Sequence, residues 1–208
     1  MKRVIGIDFD GVIHDSIRNS HAAFVKTLLD HNLPEVEIDY LREHFGTNWN
    51  EFFEKMGVPQ DLRAQWKDKY QNNYDPIPNG SIIPDSKEVV DYLLSKYKDD
   101  VYLITNEQID RVERFLAENN LLALRKRIHH VYSSKHDVLD ELKITDYIGD
   151  SVSDGYACIK AKNKPRFICT AHNYSYNTIN TLKSFYESNQ KLHSIKLVNS
   201  ILEVKNLL

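Results

Sequence analysis

Two aspartates one residue apart close a short apolar run, Val4-Ile5-Gly6-Ile7 leading into Asp8-Phe9-Asp10-Gly11. Residues two apart on a strand face the same way. Two carboxylates held that close repel each other, and the repulsion is relieved by a shared proton or a divalent cation. Hard carboxylate oxygens suit Mg²⁺, which takes one or two protein carboxylates and completes its shell with water and substrate phosphate. The same tetrapeptide also suits a plain Asp-Gly turn. A second acidic pair lies in Gly149-Asp150-Ser151-Val152-Ser153-Asp154. Asp150 ends a predicted strand and Asp154 lies one turn into the next helix, placed either to face the same cation or to cap that helix. Thr105-Asn106 offers a hydroxyl and free amides at a helix N-terminus, an anion socket or an ordinary cap. Lys135 precedes a short helix and on its own reads as a surface lysine.

What would bring these groups together is a set of strands ending in the same plane. Arg3–Ile7, Val101–Thr105, Tyr147–Asp150 and Arg166–Thr170 are short, apolar and β-branched, with a weaker run from Ile128 to Tyr132. Helical spacing lies between them: Val89 to Tyr97 with Ser86 as N-cap, Val112 to Leu121, and Val138 to Leu142. Strands alternating with helices predict an α/β fold, a Rossmann-like parallel sheet covered on both faces. Ligands bind such sheets at the carboxyl edge, where all four groups fall.

One stretch breaks the alternation. From Asp15 to Asn79 only helical periodicity is visible, including Leu62, Trp66, Tyr70 and Tyr74 at four-residue steps, and Pro76, Pro78, Asn79 and Gly80 close it. Both tryptophans are expected in core packing. The predicted organisation is an α/β core of residues 1–14 and 80–208, interrupted by an α-helical insert over 15–79.

Jointly, Asp8-Phe9-Asp10-Gly11, Thr105-Asn106, Lys135 and Gly149-Asp150-Ser151 through Asp154 resemble the four motifs of the haloacid dehalogenase superfamily of phosphatases. The similarity is strongest to its phosphoglycolate-phosphatase-like branch, in which a helical cap follows the first strand. The resemblance implies that the insert is such a cap. It implies Asp8 as the nucleophile that forms an aspartyl-phosphate, and Asp10 as general acid and then base. Mg²⁺ would be held by Asp8, by Asp10 through its carbonyl, by Asp150 and by Asp154. Thr105 and Lys135 would bind the transferring phosphoryl group, with amides near Phe9 and Asn106. Dehalogenases of the superfamily lack the second aspartate, so Asp10 favours a phosphatase over a dehalogenase. Two features depart from the branch: fifteen residues separate Lys135 from Asp150, and His136 stands where a proline is usual.

The expected activity is hydrolysis of a small phosphate monoester. A phosphotransferase of the β-phosphoglucomutase type shares every motif, and a non-catalytic phospho-acceptor is a more distant alternative. His14, Arg18, Thr47 and Asn48 are the remaining substrate-binding candidates, chosen by position beside the first motif and in a turn of the insert.

The bulk numbers set limits. The 208 residues carry 27 basic and 30 acidic side chains, with no block of five or six like charges, so neither nucleic acid nor a membrane surface is an expected partner. The insert holds most of the acidity, with 7 basic and 11 acidic residues. Two cysteines are too few for a disulfide framework, and Asp8 arrives too early for a signal peptide. A cytoplasmic monomer or homodimer is expected.

Overall fold

The computed structural model describes residues 2–44, 49–132 and 134–208. At its centre six parallel strands stand in the order β3-β2-β1-β4-β5-β6. They are β1 (Ile5–Asp8), β2 (Val101–Thr105), β3 (Ile128–His130), β4 (Asp146–Gly149), β5 (Arg166–Thr170) and β6 (Ile195–Val198). β1 and β4 are buried along their whole length. That burial is why they read as near-continuous apolar runs rather than alternating ones.

Four helices, α1 (Ile17–Asp30), α2 (Ile38–His44), α3 (Trp49–Lys55) and α4 (Arg63–Tyr74), lie between β1 and β2. α5 (Ser86–Tyr97) then leads into β2. The rest follow as α6 (Ile109–Glu118), α7 (Lys135–Glu141), α8 (Val152–Lys160), α9 (Ile179–Asn189) and α10 (Val204–Leu207). Strand alternation sorts the core into two layers. Ile5, Ile7, Ile148 and Ile168 pack against Val89 and Leu93 of α5, Phe115 of α6 and Val204 of α10. Tyr147, Phe167 and Cys169 pack against Leu139 of α7, Cys158 of α8 and Leu182 of α9. Both cysteines are therefore free, buried core residues.

The four inserted helices have a core of their own, built from Phe24, Leu28, Leu41, Phe52, Phe53 and Trp66 among others. The Trp66 indole stacks on the His31 ring at 4.1 Å. Trp66, Tyr70 and Tyr74 are buried, as their spacing predicts, whereas Leu62 precedes α4 and is exposed. Arg42 of α2 anchors this layer to the sheet side, donating to the carbonyls of Ser175 at 2.9 Å and His172 at 3.2 Å.

Two expectations need correction. Ser86 does not cap α5. Pro84 and Asp85 form the middle of a turn closed by Ser86 N–H to Ile83 O at 3.1 Å, with Asp85 at φ 65°. Proline followed by a positive φ is the type II pattern, so the turn ends where the helix begins. The sheet also has a sixth strand beyond Arg166–Thr170. β6 is a four-residue edge strand with exposed Lys196 inside it, which is too short and too polar for a periodicity signal. Among the described residues no helix is long and apolar enough to cross a membrane.

Candidate active site

β1 lies between β2 and β4, with Asp8 beside Ile104 and Ile7 beside Ile148. The strand order reverses here, and a crevice opens beyond the carboxyl ends at such a point. Asp8 ends β1, Thr105 ends β2 and Asp150 follows β4, so the sheet brings the first, second and fourth motifs to one edge. Lys135, the first residue of α7, reaches into the same edge. A cavity of about 410 Å³ opens on this edge, lined there by Asp8, Asp10, Asn106, Lys135 and Asp150.

Asp8 is buried. Its Oδ1 accepts the Phe9 N–H at 2.8 Å and its Oδ2 accepts from Lys135 Nζ at 2.8 Å. Lys135 Nζ donates also to Asp154 Oδ1 at 2.6 Å. Burial, opposed by Lys135 and aided by Asp154 and Asp10, pushes the Asp8 carboxyl up to about 8. The same desolvation works against the lysine charge, but Asp154 and Asp8 hold Lys135 well above its ordinary value. Asp150 accepts the Tyr176 N–H on Oδ2 at 2.6 Å. Burial first, then Asp154 and Asp8, hold its carboxyl well above the usual range. Gly11 is required beside it: its φ is +70°, and a Cβ there would stand 1.9 Å from Asp150 Oδ2.

Asp154 also closes the start of α8. Its Oδ2 accepts from Ser151 Oγ at 2.7 Å and from the N–H groups of Ser151 and Asp150 at 3.1 and 3.3 Å. Ser151 Oγ in turn accepts the Asp154 N–H, a reciprocal capping box on α8. With Oδ1 on Lys135, both oxygens are engaged. Burial raises the Asp154 carboxyl, but Lys135 and Ser151 outweigh it and leave it below the usual range. Asp8, Asp150 and Asp154 present carboxylate oxygens within 4.8 Å of one another. The Asp10 carboxylate is not in that trio. It sits on the cavity wall and accepts from His14 on Oδ1.

Several residues named from sequence lie elsewhere. His14 is 1% exposed and does not line the cavity; position in the chain suggested a substrate-facing role, but β1's exit turn folds the ring inward. Arg18 points to solvent, 77% exposed, paired with Asp15 at 3.5 Å. Helix α1 rotates it off the cavity. Thr105 stays at the β2 end on the site's edge, fully buried, and its Oγ1 accepts the Glu107 N–H at 2.9 Å. Phe9 is buried and contributes its backbone. Thr47 and Asn48 lie outside the described residues.

The sequence reading missed the far wall. Trp49, Tyr70, Gln71 and Tyr74 from the inserted helices, with Tyr176 and Glu107, complete the cavity. Tyr74 donates its hydroxyl to Glu107 Oε2 at 2.8 Å. Burial and Asp10 raise the Glu107 carboxyl. Two signals bordered this wall: the predicted turn of the insert that carries Thr47 and Asn48 runs into Trp49, and the Trp66–Tyr74 stripe, whose spacing marks it as core, is in part both core and cavity lining.

The class these features define is a Rossmann-like parallel sheet with three carboxylates and a lysine gathered at its switch point. The chain belongs to the haloacid dehalogenase-like hydrolases, whose family model matches residues 5–168. No curated protein matches it in sequence. Among solved structures it is similar to a hydrolase of the haloacid dehalogenase-like family from Streptococcus pneumoniae (TM-score 0.78, 16% identity, 99% of this chain and 98% of that one). It is also similar to a "predicted phosphatase" from Clostridium acetobutylicum (0.77, 16%, 100% and 98%). A "predicted phosphoglycolate phosphatase" from Haemophilus somnus gives 0.67 at 15% identity, over 99% and 97%. At these identities the likeness is one of fold.

Proposed function

We propose that the protein is a Mg²⁺-dependent phosphomonoester hydrolase acting on a small phosphorylated metabolite through an aspartyl-phosphate. The carrying observation is Asp8. It is a buried carboxylate at the end of the central strand, bonded to Lys135 and opening on a cavity of about 410 Å³ whose wall also holds Asp10. The donor set fits a hard divalent cation: Asp8, Asp150 and Asp154 bring three buried carboxylates within 4.8 Å of one another, and one lysine, Lys135, lies among them. Asp8 and Asp150 would hold the ion, with the Asp10 carbonyl, while Asp154 orients Lys135 and the α8 terminus. Such an ion neutralises charge on the phosphoryl oxygens and between two anionic reactants.

The chain's own residues then divide the chemistry. One Asp8 oxygen attacks phosphorus as the ester P–O bond breaks, and Asp10 gives its proton to the departing alkoxide. Water next attacks the phosphoaspartate, Asp10 takes its proton, and the P–O bond to Asp8 breaks to release phosphate. Lys135 and the Asn106 amide stabilise the equatorial oxygens. Residues 15–79 serve as a cap over a core of 1–14 and 80–208. Support for that division comes from the separate apolar cluster of the inserted helices and from its two crossings, which run side by side: Asp15 N–H to Ser81 O at 2.9 Å and Ile83 N–H to Ile13 O at 2.8 Å.

Phosphate release from p-nitrophenyl phosphate tests the reading. Asp8→Asn should lower it at least about 10³-fold, as loss of a nucleophile does, and chelation by EDTA should do the same. Activity that survives both treatments would overturn it.

A further inference from the structure

His14 is buried, yet both ring nitrogens are engaged. Nε2 lies 2.9 Å from the Gly80 backbone nitrogen, whose N–H can only donate, so Nε2 accepts. With Nε2 accepting, Nδ1 carries the ring proton, and Nδ1 lies 3.1 Å from Asp10 Oδ1. Phe9 and Phe115 hold the imidazole, with ring centroids at 4.9 and 4.8 Å. Gly80 must lack a side chain, since a Cβ there would stand 2.1 Å from Asp15 O and 3.1 Å from His14 Nε2. The His14 backbone also bridges to Asp10 on one side and to Ile82 on the other.

From this geometry we infer that His14 is a positioning residue for Asp10, one that fixes which oxygen handles the reaction's proton, and that the segment returning from the inserted helices sets its tautomer. The inference rests on the phosphatase reading above. Nδ1–H donates to Oδ1, so Oδ1 remains an acceptor whether Asp10 is a carboxyl or a carboxylate. The transferable proton therefore sits on Oδ2. The same bond serves both half-reactions: Oδ2–H protonates the leaving alkoxide, and Oδ2 later accepts a proton from the attacking water. Without the Gly80 N–H on Nε2 the ring proton is free to sit on either nitrogen, and the Asp10 plane loses its fixed partner. The acid is thus set only when the two chain crossings lie together.

The test compares two leaving groups. A p-nitrophenolate needs little protonation to leave, whereas an alkoxide needs it fully. His14→Gln offers Gly80 an acceptor near the Nε2 position but presents no donor to Asp10; His14→Asn places an amide nitrogen near Nδ1. In His14→Gln, kcat/KM for a simple alkyl phosphate should fall about tenfold or more, while that for p-nitrophenyl phosphate stays within about threefold. Its kcat on the aryl ester should still fall, because hydrolysis of the intermediate needs Asp10 as base. His14→Asn should recover most of the alkyl-ester rate. Gly80→Ala disturbs the same bond from the other crossing, through the Asp15 carbonyl as well, and should shift the alkyl-to-aryl ratio the same way. Circular dichroism and recovery in His14→Asn separate the effect from poor folding. Equal losses on both esters, or none, in His14→Gln and Gly80→Ala would overturn the positioning role alone. Turnover that survives Asp8→Asn would overturn the phosphatase reading and this role with it.

Discussion

The two walls of the cavity are built on opposite principles. On the sheet side Asp8, Lys135 and Asp154 interlock through bonds of 2.6–2.8 Å, and the Asp150 N–H joins them at Asp154 Oδ2 beside the α8 capping box. The three carboxylates there are buried, Lys135 is nearly so, and each is held by a strand end or a helix terminus. On the helical side Trp49, Tyr70, Gln71 and Tyr74 offer ring faces, an amide and hydroxyls, supported by an apolar cluster separate from those of the sheet. One wall is charged and fixed, suited to chemistry common to any phosphate ester. The other is mostly neutral and aromatic, suited to the part of the substrate that does not react. On the proposed function, catalysis and selection would rest on separate hydrophobic clusters.

The largest effect that could break this contrast is at Lys135. Its side chain is 13% exposed, between partners at 10% and 0%. Lys135→Met should cost about 10²- to 10³-fold in kcat through lost stabilisation of the phosphoryl oxygens. It should also lower unfolding free energy by about 3 kcal/mol or more, because Asp8 and Asp154 are left buried without a counter-charge. Steady-state kinetics and urea unfolding read the two losses. A variant with wild-type kcat would mean that the sheet-side charges are structural only.

The asymmetry also explains what the sequence made legible. Asp8, Asp10, Asp150 and the strand ends that carry them are readable because parallel buried strands write themselves as apolar runs that stop at a polar residue, and the wall is made at those stops. Asp154 was legible as a residue, but one spacing serves both a cation ligand and a capping box, and the structure places it in the carboxylate trio and in the α8 box at once. His14 looked substrate-facing because its neighbours are, and no local signal reports that Gly80, distant in sequence, closes on its ring. The helical wall was hidden for a further reason. Tyr70 and Tyr74 repeat at core spacing, and periodicity cannot distinguish a ring that fills a core from one that also borders a cavity. β6 escaped as a short edge strand with a lysine inside.

The sheet wall's unbalanced charge gives the next prediction. The folded-state carboxyl of Asp8 is raised to about 8, by burial first, and that of Asp150 is raised as well. Lys135 faces Asp8 and opposes the shift; Asp154 and Asp10 face it and add to it. A raised carboxyl favours the fold while it is protonated, and that contribution fades as pH rises from the ordinary carboxylate range toward about 8. Asp154 is lowered and works the other way, losing its contribution only in acid. The metal-free protein should therefore weaken toward pH 8, and Mg²⁺ should protect it most there, where it no longer competes with protons. At a hundred times its dissociation constant the ion should add about 2.7 kcal/mol, or about 5–10 °C in Tm for a chain of this size. Thermal unfolding with Mg²⁺ and with EDTA, in neutral and acidic buffer, makes the comparison. A shift as large in acid as near pH 8 would separate Asp8 and Asp150 from the ion.

The smallest effect belongs to the helical wall, and it sharpens the comparison most. Lys67 on α4 lines the cavity from the solvent side. An exposed cation contributes about 0.2–1 kcal/mol to a nearby anion, which converts to a change in KM of at most about fivefold. If the helical wall selects and the sheet wall reacts, Lys67→Ala should raise KM within that limit, leave kcat unchanged, and lose its effect as salt screens the cavity mouth. The same kcat in both proteins means that the interaction Lys67 makes is equal in the bound ester and in its transition state. A fall in kcat approaching that of Lys135→Met would show the two walls acting on the same step.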